Sequence, residues 1–293
     1  MSTHSIKHTF FGCLSQLKID LFNRLRCISC MILLMDNPDI CLYISQFLPD
    51  LDALRFTMCN VMINSLKSKV LFTDTYAYDM IKDLLHFNNF TSITINNNRI
   101  TKFPLRIKSL TILGNMLSTT NFVNVLFPEG LEHLDMSSML WNSDFSKIPH
   151  TLKSLKMPTH SHLTNAEDTY KLPFSAANVN LQQITMSSEQ CHIFNKSLPK
   201  HLTNLNLYGI FSLRKGDIPD HITSLSIVCG WTERSLSKLI PLSIRYLTIM
   251  DADYDYSFGW IVERNMTLVI NKKFESELDA YQWGPDFRVE YFD

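Results

Sequence analysis

The chain is poor in glycine and in charge, and it has no long apolar run. Only 8 of its 293 residues are Gly, and neither G-x-G-x-x-G nor G-x-x-x-x-G-K-S/T occurs, which excludes the usual backbone cradles for nucleotide phosphates. Charged residues make up 19% and the net charge is −1, a balance that argues against nucleic acid or an anionic membrane surface as partner. The apolar run Ile28 to Met35 is far short of the ~20 residues that a membrane span needs, and Asp36-Asn37-Pro38 follows it instead of a small-residue cleavage site. The 7 Cys, at positions 13, 27, 30, 41, 59, 191 and 229, have no regular spacing and read as reduced thiols of an intracellular protein.

Chemistry-bearing motifs are equally scarce. Cys27-x-x-Cys30 has no second pair at metal spacing. Asp251-Ala252-Asp253-Tyr254-Asp255 opens like a calcium loop, but Tyr256 stands where the turn needs Gly and Val262 where it needs Glu. His160 and His162 are a coil or more from Cys191 and His192, which reads as surface chemistry and not as a metal site. The three Asn-x-Ser/Thr sites, at Asn89, Asn195 and Asn265, matter only to a secreted chain. No Ser, Cys or His sits in a catalytic signature, and His133 with Asp135 reads as a surface pair. The expectation is a protein that is not an enzyme, with no catalytic residue, metal or cofactor.

What the chain does have is a ladder. Pro104, Pro128, Pro149, Pro199, Pro219 and Pro241, and Asn178 in the same role, each precede aliphatic residues three, six and eight positions later. At plus three stand Ile107, Leu131, Leu152, Leu181, Leu202, Ile222 and Ile244. At plus six stand Leu110, Leu134, Leu155, Ile184, Leu205, Leu225 and Leu247. At plus eight stand Ile112, Met136, Met157, Met186, Leu207, Ile227 and Ile249. Degraded rungs use Phe90, Ile93 and Ile95 before the series, then Leu268 and Ile270 with a slot at Val262, and Val289 and Tyr291 with a slot at Trp283.

Residues two apart on a strand face one way, so the plus-six and plus-eight side chains share a buried face, with polar residues between them on the other. One such coil encloses no core. Stacked coils put the aliphatic rows in register and let neighbouring strands pair in parallel. The fold class expected is an α/β solenoid, a leucine-rich-repeat-like parallel β stack of coils of about 21–22 residues, preceded by a small three-helix module.

That module begins at Asn37-Pro38-Asp39. Pro38 suits the first helical position and Asp39 the positive helix end. Ile40, Tyr43, Ile44 and Phe47 form one apolar face. Leu48-Pro49 breaks the helix, and Asp50 reads as the N-cap of a second, whose face carries Leu51, Leu54, Arg55 and Met58. A third helix is expected over about Val61 to Lys69. The domain reading is 1–34 an extension, 35–75 the helical module and 76–293 the repeats. Leu14, Leu17, Leu21, Phe22, Leu25 and Ile28 are spaced for an amphipathic helix in the extension. Met31 and Met35 are alternative starts that would leave it untranslated.

Asn-Pro-Asp-Ile, a helix, Phe-Leu-Pro-x-Leu-x-x-Leu and then Cys59-Asn60 resemble the F-box, with Asn37-Pro38 for its usual Leu-Pro and no Trp in the third helix. The repeat resembles the FNIP repeat, a relative of leucine-rich repeats, with Phe194-Asn195 and Phe87-Asn88 matching its Phe-Asn pair. Together the modules resemble the F-box and FNIP repeat proteins of giant amoeba viruses of the mimivirus type. This resemblance implies a substrate-recognition subunit of a Skp–cullin–F-box ubiquitin ligase, in the cytoplasm of the host cell if viral. It implies docking of a Skp-type adaptor through Pro38, Ile40, Ile44, Leu48, Pro49, Leu51 and Leu54. The alternative is a helical cap on a non-catalytic repeat scaffold, or a decoy that occupies the adaptor without delivering substrate. In leucine-rich folds the exposed strand face reads ligands. Its candidates for an unknown protein substrate are His133, Asp135, Lys156, Gln183, Asn204, Asn206, Tyr208, Ser224, Tyr246 and Thr248.

Overall fold

A computed structural model describes residues 37–58, 61–96, 100–113, 127–138, 148–158, 180–208, 213–228, 236–250, 264–279 and 281–292. The extension, the Cys27 and Cys59 positions, the His160 pair and the Asp251 segment lie outside these residues. The chain divides into two compact units. One takes the chain up to Asp74 together with Leu84–Phe90; the other takes Thr75–Asp83 and the chain from Thr91 onward.

In the first unit, α1 (Pro38–Ser45), α2 (Asp50–Met58) and α3 (Val61–Asn64) follow in order, and a 3-10 turn, Ser65–Ser68, extends α3. Asn37 caps α1: its side-chain oxygen accepts from the N–H groups of Asp39 (3.0 Å) and Ile40 (3.3 Å), with Pro38 at the first helical position. Asp50, expected at the start of the second helix, is the first residue of α2; it is buried, and its carboxylate accepts from the N–H of Asp74 at 2.8 Å.

The core of this unit combines small side chains with larger apolar ones. Cys41, Ser45, Ala53 and Thr57 are buried with Ile63 and Leu66, and Phe56 packs against this cluster. The buried hydroxyls are satisfied locally, Ser45 by Leu42 O at 2.7 Å and Thr57 by Leu54 O at 2.6 Å. Of the apolar face that spacing marks, Ile40 and Ile44 are half-buried, whereas Tyr43 and Phe47, the latter just past the end of α1, are exposed. Phe72 stacks on Phe90 at 4.7 Å and lies 5.2 Å from His86.

The sheet has eleven strands in the order of the chain, and every pairing from β2 to β11 is parallel. They are β1 (Phe72–Ala77), β2 (Phe90–Ile95), β3 (Ser109–Ile112), β4 (His133–Asp135), β5 (Ser154–Lys156), β6 (Gln183–Ser187), β7 (Asn204–Tyr208), β8 (Ser224–Val228), β9 (Tyr246–Met250), β10 (Thr267–Asn271) and β11 (Arg288–Phe292). β1 lies ahead of the first rung that the pattern marks. It has one buried apolar residue, Phe72, and so no aliphatic alternation to read. Short helices fill some of the coils: α4 (Tyr78–Ile81), α5 (Ser188–Phe194), α6 (Leu236–Leu239) and α7 (Glu275–Leu278).

The register is the one the ladder requires. Ile93, Leu110, Leu134, Leu155, Ile184, Leu205, Leu225, Leu247, Leu268 and Val289 are successive partners along one row. Every plus-three, plus-six and plus-eight residue from Ile107 to Ile249 is at most 2% exposed. Each such burial contributes about 2–3 kcal/mol of transfer free energy before chain entropy is subtracted. Between these rows the coil length varies. Leu155 and Ile184 are 29 residues apart and Ile93 and Leu110 only 17, yet both pairs are in register. Length differences are absorbed outside the strands.

Two backbone devices, and in several coils a side-chain bond, hold the coils. The Pro carbonyl accepts from the plus-three N–H, as in Leu202 to Pro199 (3.0 Å) and Ile222 to Pro219 (3.1 Å), so Pro opens a turn and supplies no ladder donor. Two successive N–H groups of the next coil then share one carbonyl: Thr203 and Asn204 on Gln182 O, Thr223 and Ser224 on Thr203 O. The third device is a row of polar side chains at plus two that reach back to the preceding turn. Thr151 Oγ1 donates to Leu131 O at 2.8 Å, Asn180 Nδ2 to His150 O at 3.0 Å, and Arg264 to Pro241 O and Ile240 O at 3.3 and 3.1 Å. These bonds satisfy turn carbonyls that no strand can reach.

The last two coils depart from the pattern by one residue. Met266 precedes Leu268, and Phe287 precedes Val289, by two positions and not three, and both are buried. The final turn therefore runs from Gly284 to Phe287 (3.1 Å) and not from the slot at Trp283. Trp283 instead stacks on Phe287 at 4.3 Å and donates to Leu278 O at 3.1 Å.

Candidate functional site

The seven helical candidates share one property. Pro38, Pro49 and Leu51 are exposed, Ile40, Ile44, Leu48 and Leu54 are half-buried, and none belongs to the core. Neighbouring large apolar side chains also face outward: Tyr43 is 63% exposed, Phe47 47%, Leu51 57% and Met58 66%. Tyr43 and Phe47 meet edge to face at 4.9 Å. Sequence reasoning named Tyr43 and Phe47 as part of the helix face but not as candidates for contact. A shallow cavity of about 370 Å³ lies elsewhere, on the second unit; one of about 160 Å³ lies between Leu42, Ser45 and Val70 in the first.

The strand candidates lie in two rows of the outward sheet face. His133, Ser154, Gln183, Asn204, Ser224 and Tyr246 are register partners in one, and Asp135, Lys156, Thr185, Asn206, Ser226 and Thr248 in the next. Tyr208 stands one strand pleat further on. His133 and Tyr246 are exposed, and the other candidates are half-buried. The first row continues beyond Tyr246 into Thr267 and Arg288. Sequence reasoning stopped short of these two, although the rungs at Leu268 and Val289 already fixed their place.

Only part of this face is chemically organised. Lys156 Nζ pairs with Asp135 Oδ2 at 3.2 Å and lies 5.9 Å from the centre of the Tyr208 ring. Burial lowers the Lys156 pKa, but the Asp135 charge and hydrogen bonding to Tyr208 and Asp135 outweigh it, so the ammonium is held charged. Asp135 also accepts from Ser137 N–H at 2.9 Å. Its partners are thus Lys156 and the backbone, and His133 plays no part in a dyad. Asn206 Nδ2 donates to Thr185 Oγ1 at 3.2 Å.

Two further clusters went unread in the sequence. Glu132 bridges Lys108 (3.0 Å) and Lys153 (2.7 Å) across three coils, and hydrogen bonds from Lys153 and Lys108 pull its pKa down to about 2. Asp217, 3% exposed, gathers His192 Nδ1 (2.9 Å), Arg214 N–H (2.6 Å) and Asn195 Nδ2 (3.4 Å). The Cys191 thiol donates to Asp217 O at 3.5 Å, and burial first, then the Asp217 charge, push its pKa up to about 12. A thiol so held is protonated at neutral pH and is no nucleophile. Phe194, beside Asn195, is a core residue, 2% exposed. Among the described residues no group of three or more His, Cys, Asp or Glu could hold a metal ion, and no described helix is long and apolar enough to cross a membrane.

No known protein family matches the chain in sequence, and no characterised protein does. Solved structures do resemble it. The leucine-rich repeat-containing protein LegL7 from Legionella pneumophila aligns with a TM-score of 0.47 at 14% identity, over 74% of this chain and 89% of that one. CroV588, described as a novel circular LRR protein structure, aligns with a TM-score of 0.40 at 14% identity, over 74% of this chain and 34% of its own. The leucine-rich-repeat-like architecture of the present chain stands on its own strand order and register.

Proposed function

We propose that the chain is a non-catalytic recognition protein: its helical unit docks a Skp-type adaptor of a cullin–RING ubiquitin ligase, and its outward strand face binds a protein substrate. One observation carries the first half. The helical unit has a buried core that includes Cys41, Ile63 and Leu66, yet it leaves four large apolar side chains exposed, Tyr43, Phe47, Leu51 and Met58. A self-sufficient cap would bury such side chains, since burying each of these residues is worth about 2–3 kcal/mol. Contiguous exposed apolar side chains are the usual mark of a protein contact. The resemblance of Asn37 to Asn60 to the F-box is what names the adaptor as occupant.

The second half is supported by the composition of the strand face. It offers Tyr208 and Tyr246 as aromatic anchors among small amides and hydroxyls, the mixture that protein contacts favour, and in the described residues it presents no organised catalytic group. Recovery of purified Skp-type adaptor by the full chain and by a Tyr43→Glu/Leu51→Glu variant tests the docking. The variant should lose recovery at unchanged thermal stability, because both positions are exposed. Equal recovery, or none with the wild type, overturns it. Transfer of ubiquitin to a co-purifying partner in a reconstituted ligase separates substrate delivery from mere occupancy of the adaptor.

A further inference from the structure

At the C-terminal end of the strand face a cavity of about 370 Å³ is lined by Arg245, Tyr246, Asn265, Thr267, Asp286 and Arg288, among others. Tyr246, Thr267 and Arg288 are register partners on consecutive strands, so their side chains stand in one row at steps of about 4.8 Å. That row is the same one that carries Asn204 and Ser224. Arg245, one residue before Tyr246, is tied down by a single bond from Nη1 to Asn265 O at 3.2 Å.

Lys82, Lys108, Lys153, Lys156 and Arg55 each have a carboxylate within ion-pair distance. Arg245 and Arg288 form none among the described residues, although Asp286 lines the same cavity. A guanidinium fork offers five donors in a geometry matched to a planar anion. With two arginines and one carboxylate among its lining residues, the cavity carries a net positive charge on the outward strand face.

We infer that this cavity takes a carboxylate, the acidic side chain of a protein segment lying along the outward strand row. The choice of a carboxylate follows from the reading that this strand row binds a protein segment, whose side-chain anions are carboxylates, and inorganic phosphate is the competing occupant that the test distinguishes. Tyr246 and Thr267, which also line the cavity, add hydroxyl groups. The inference rests on the reading that the strand face binds a protein partner.

The test is fluorescence anisotropy on the full chain with a labelled Ala-Glu-Ala-Glu-Ala peptide, its Gln counterpart, and unlabelled inorganic phosphate as competitor. The Glu peptide should bind at least tenfold more tightly than the Gln peptide. Arg245→Gln/Arg288→Gln should remove that preference, and Lys238→Gln, an exposed base elsewhere, should not. Asp286→Asn should tighten binding severalfold, a gain that misfolding cannot imitate. Equal binding of the two peptides, an unchanged preference in the double variant, or displacement by phosphate at lower concentration than by the unlabelled Glu peptide would each overturn the assignment. If Tyr208→Ala abolishes Glu-peptide binding while the arginine variant does not, the strand face still binds a partner and only the cavity is misassigned. Adaptor recovery depends on the helical unit and is read independently.

Discussion

Replacing Asp217 by Ala removes the acceptor that joins α5 to the turn of the following coil. The carboxylate takes a backbone donor, Arg214 N–H at 2.6 Å, and the ring nitrogen His192 Nδ1 at 2.9 Å; the Asn195 contact at 3.4 Å is long enough to count for little. Hydrogen bonds to an ionised group contribute about 1.5–3 kcal/mol each. Part of that returns as Arg214 and His192 rehydrate, since Arg214 is exposed and His192 half-exposed. A loss of about 3 kcal/mol is expected. Asp217→Asn keeps an oxygen for Arg214 N–H and should cost about 1 kcal/mol. Asp220→Ala, exposed in the same turn, should stay within about 0.5 kcal/mol of wild type. Urea unfolding followed by circular dichroism reads all three, and with a slope of ~3 kcal/mol/M the Ala variant moves the midpoint down by about 1 M. If Asp217→Ala unfolds with Asp220→Ala, the buried carboxylate does not hold the coils together.

Other consequences follow from the rows of the sheet. Leu205→Ala opens a cavity between Ile184 and Leu225 at a position 0% exposed and should cost about 2–5 kcal/mol, against less than about 1 for Ser226→Ala on the opposite face; the same urea series distinguishes them. Ser243 Oγ is buried without a partner, so Ser243→Ala should be neutral or stabilising by up to about 1 kcal/mol, and a clear loss by thermal melt would mean the hydroxyl has a partner. Glu132, held near 2 in the folded chain, binds a proton more readily once unfolded. Its contribution is present above about pH 4.5 and is lost as pH falls toward 2. Solvent screening of the two exposed lysines limits it to about 1 kcal/mol. The difference between wild type and Glu132→Gln should therefore shrink between pH 5 and 3, and a constant difference would refute the linkage.

The ladder was legible because two constraints coincide in it. A strand with one buried face repeats every second residue, and a Pro turn fixes where that strand starts, so Leu205, Leu207 and their equivalents could be placed in register from the sequence. β1 was not legible because Phe72 is its one buried apolar side chain and the strand is marked by pairing alone. The plus-two row was hidden for a different reason. Thr151, Asn180 and Arg264 share a task, reaching a turn carbonyl, but no residue type. The spacing of Ile40, Tyr43 and Ile44 on α1, and of Phe47 just past its end, located a face without saying which way it points. The helices bury Cys41, Ser45, Ala53 and Thr57 together with Ile63 and Leu66, while Tyr43, Phe47, Leu51 and Met58 stay outside. Arg245 and Arg288 carry no motif, and their convergence depends on strand register at the irregular end of the stack.

The central claim is that the outward face of the helical unit is a docking surface. Hydrogen exchange of the full chain with and without purified Skp-type adaptor tests it most directly. The account predicts slowed exchange in peptides covering Pro38–Met58, with the strands from β3 to β11 unchanged. Unchanged exchange across α1 and α2 at saturating adaptor, or protection confined to the sheet, would contradict it.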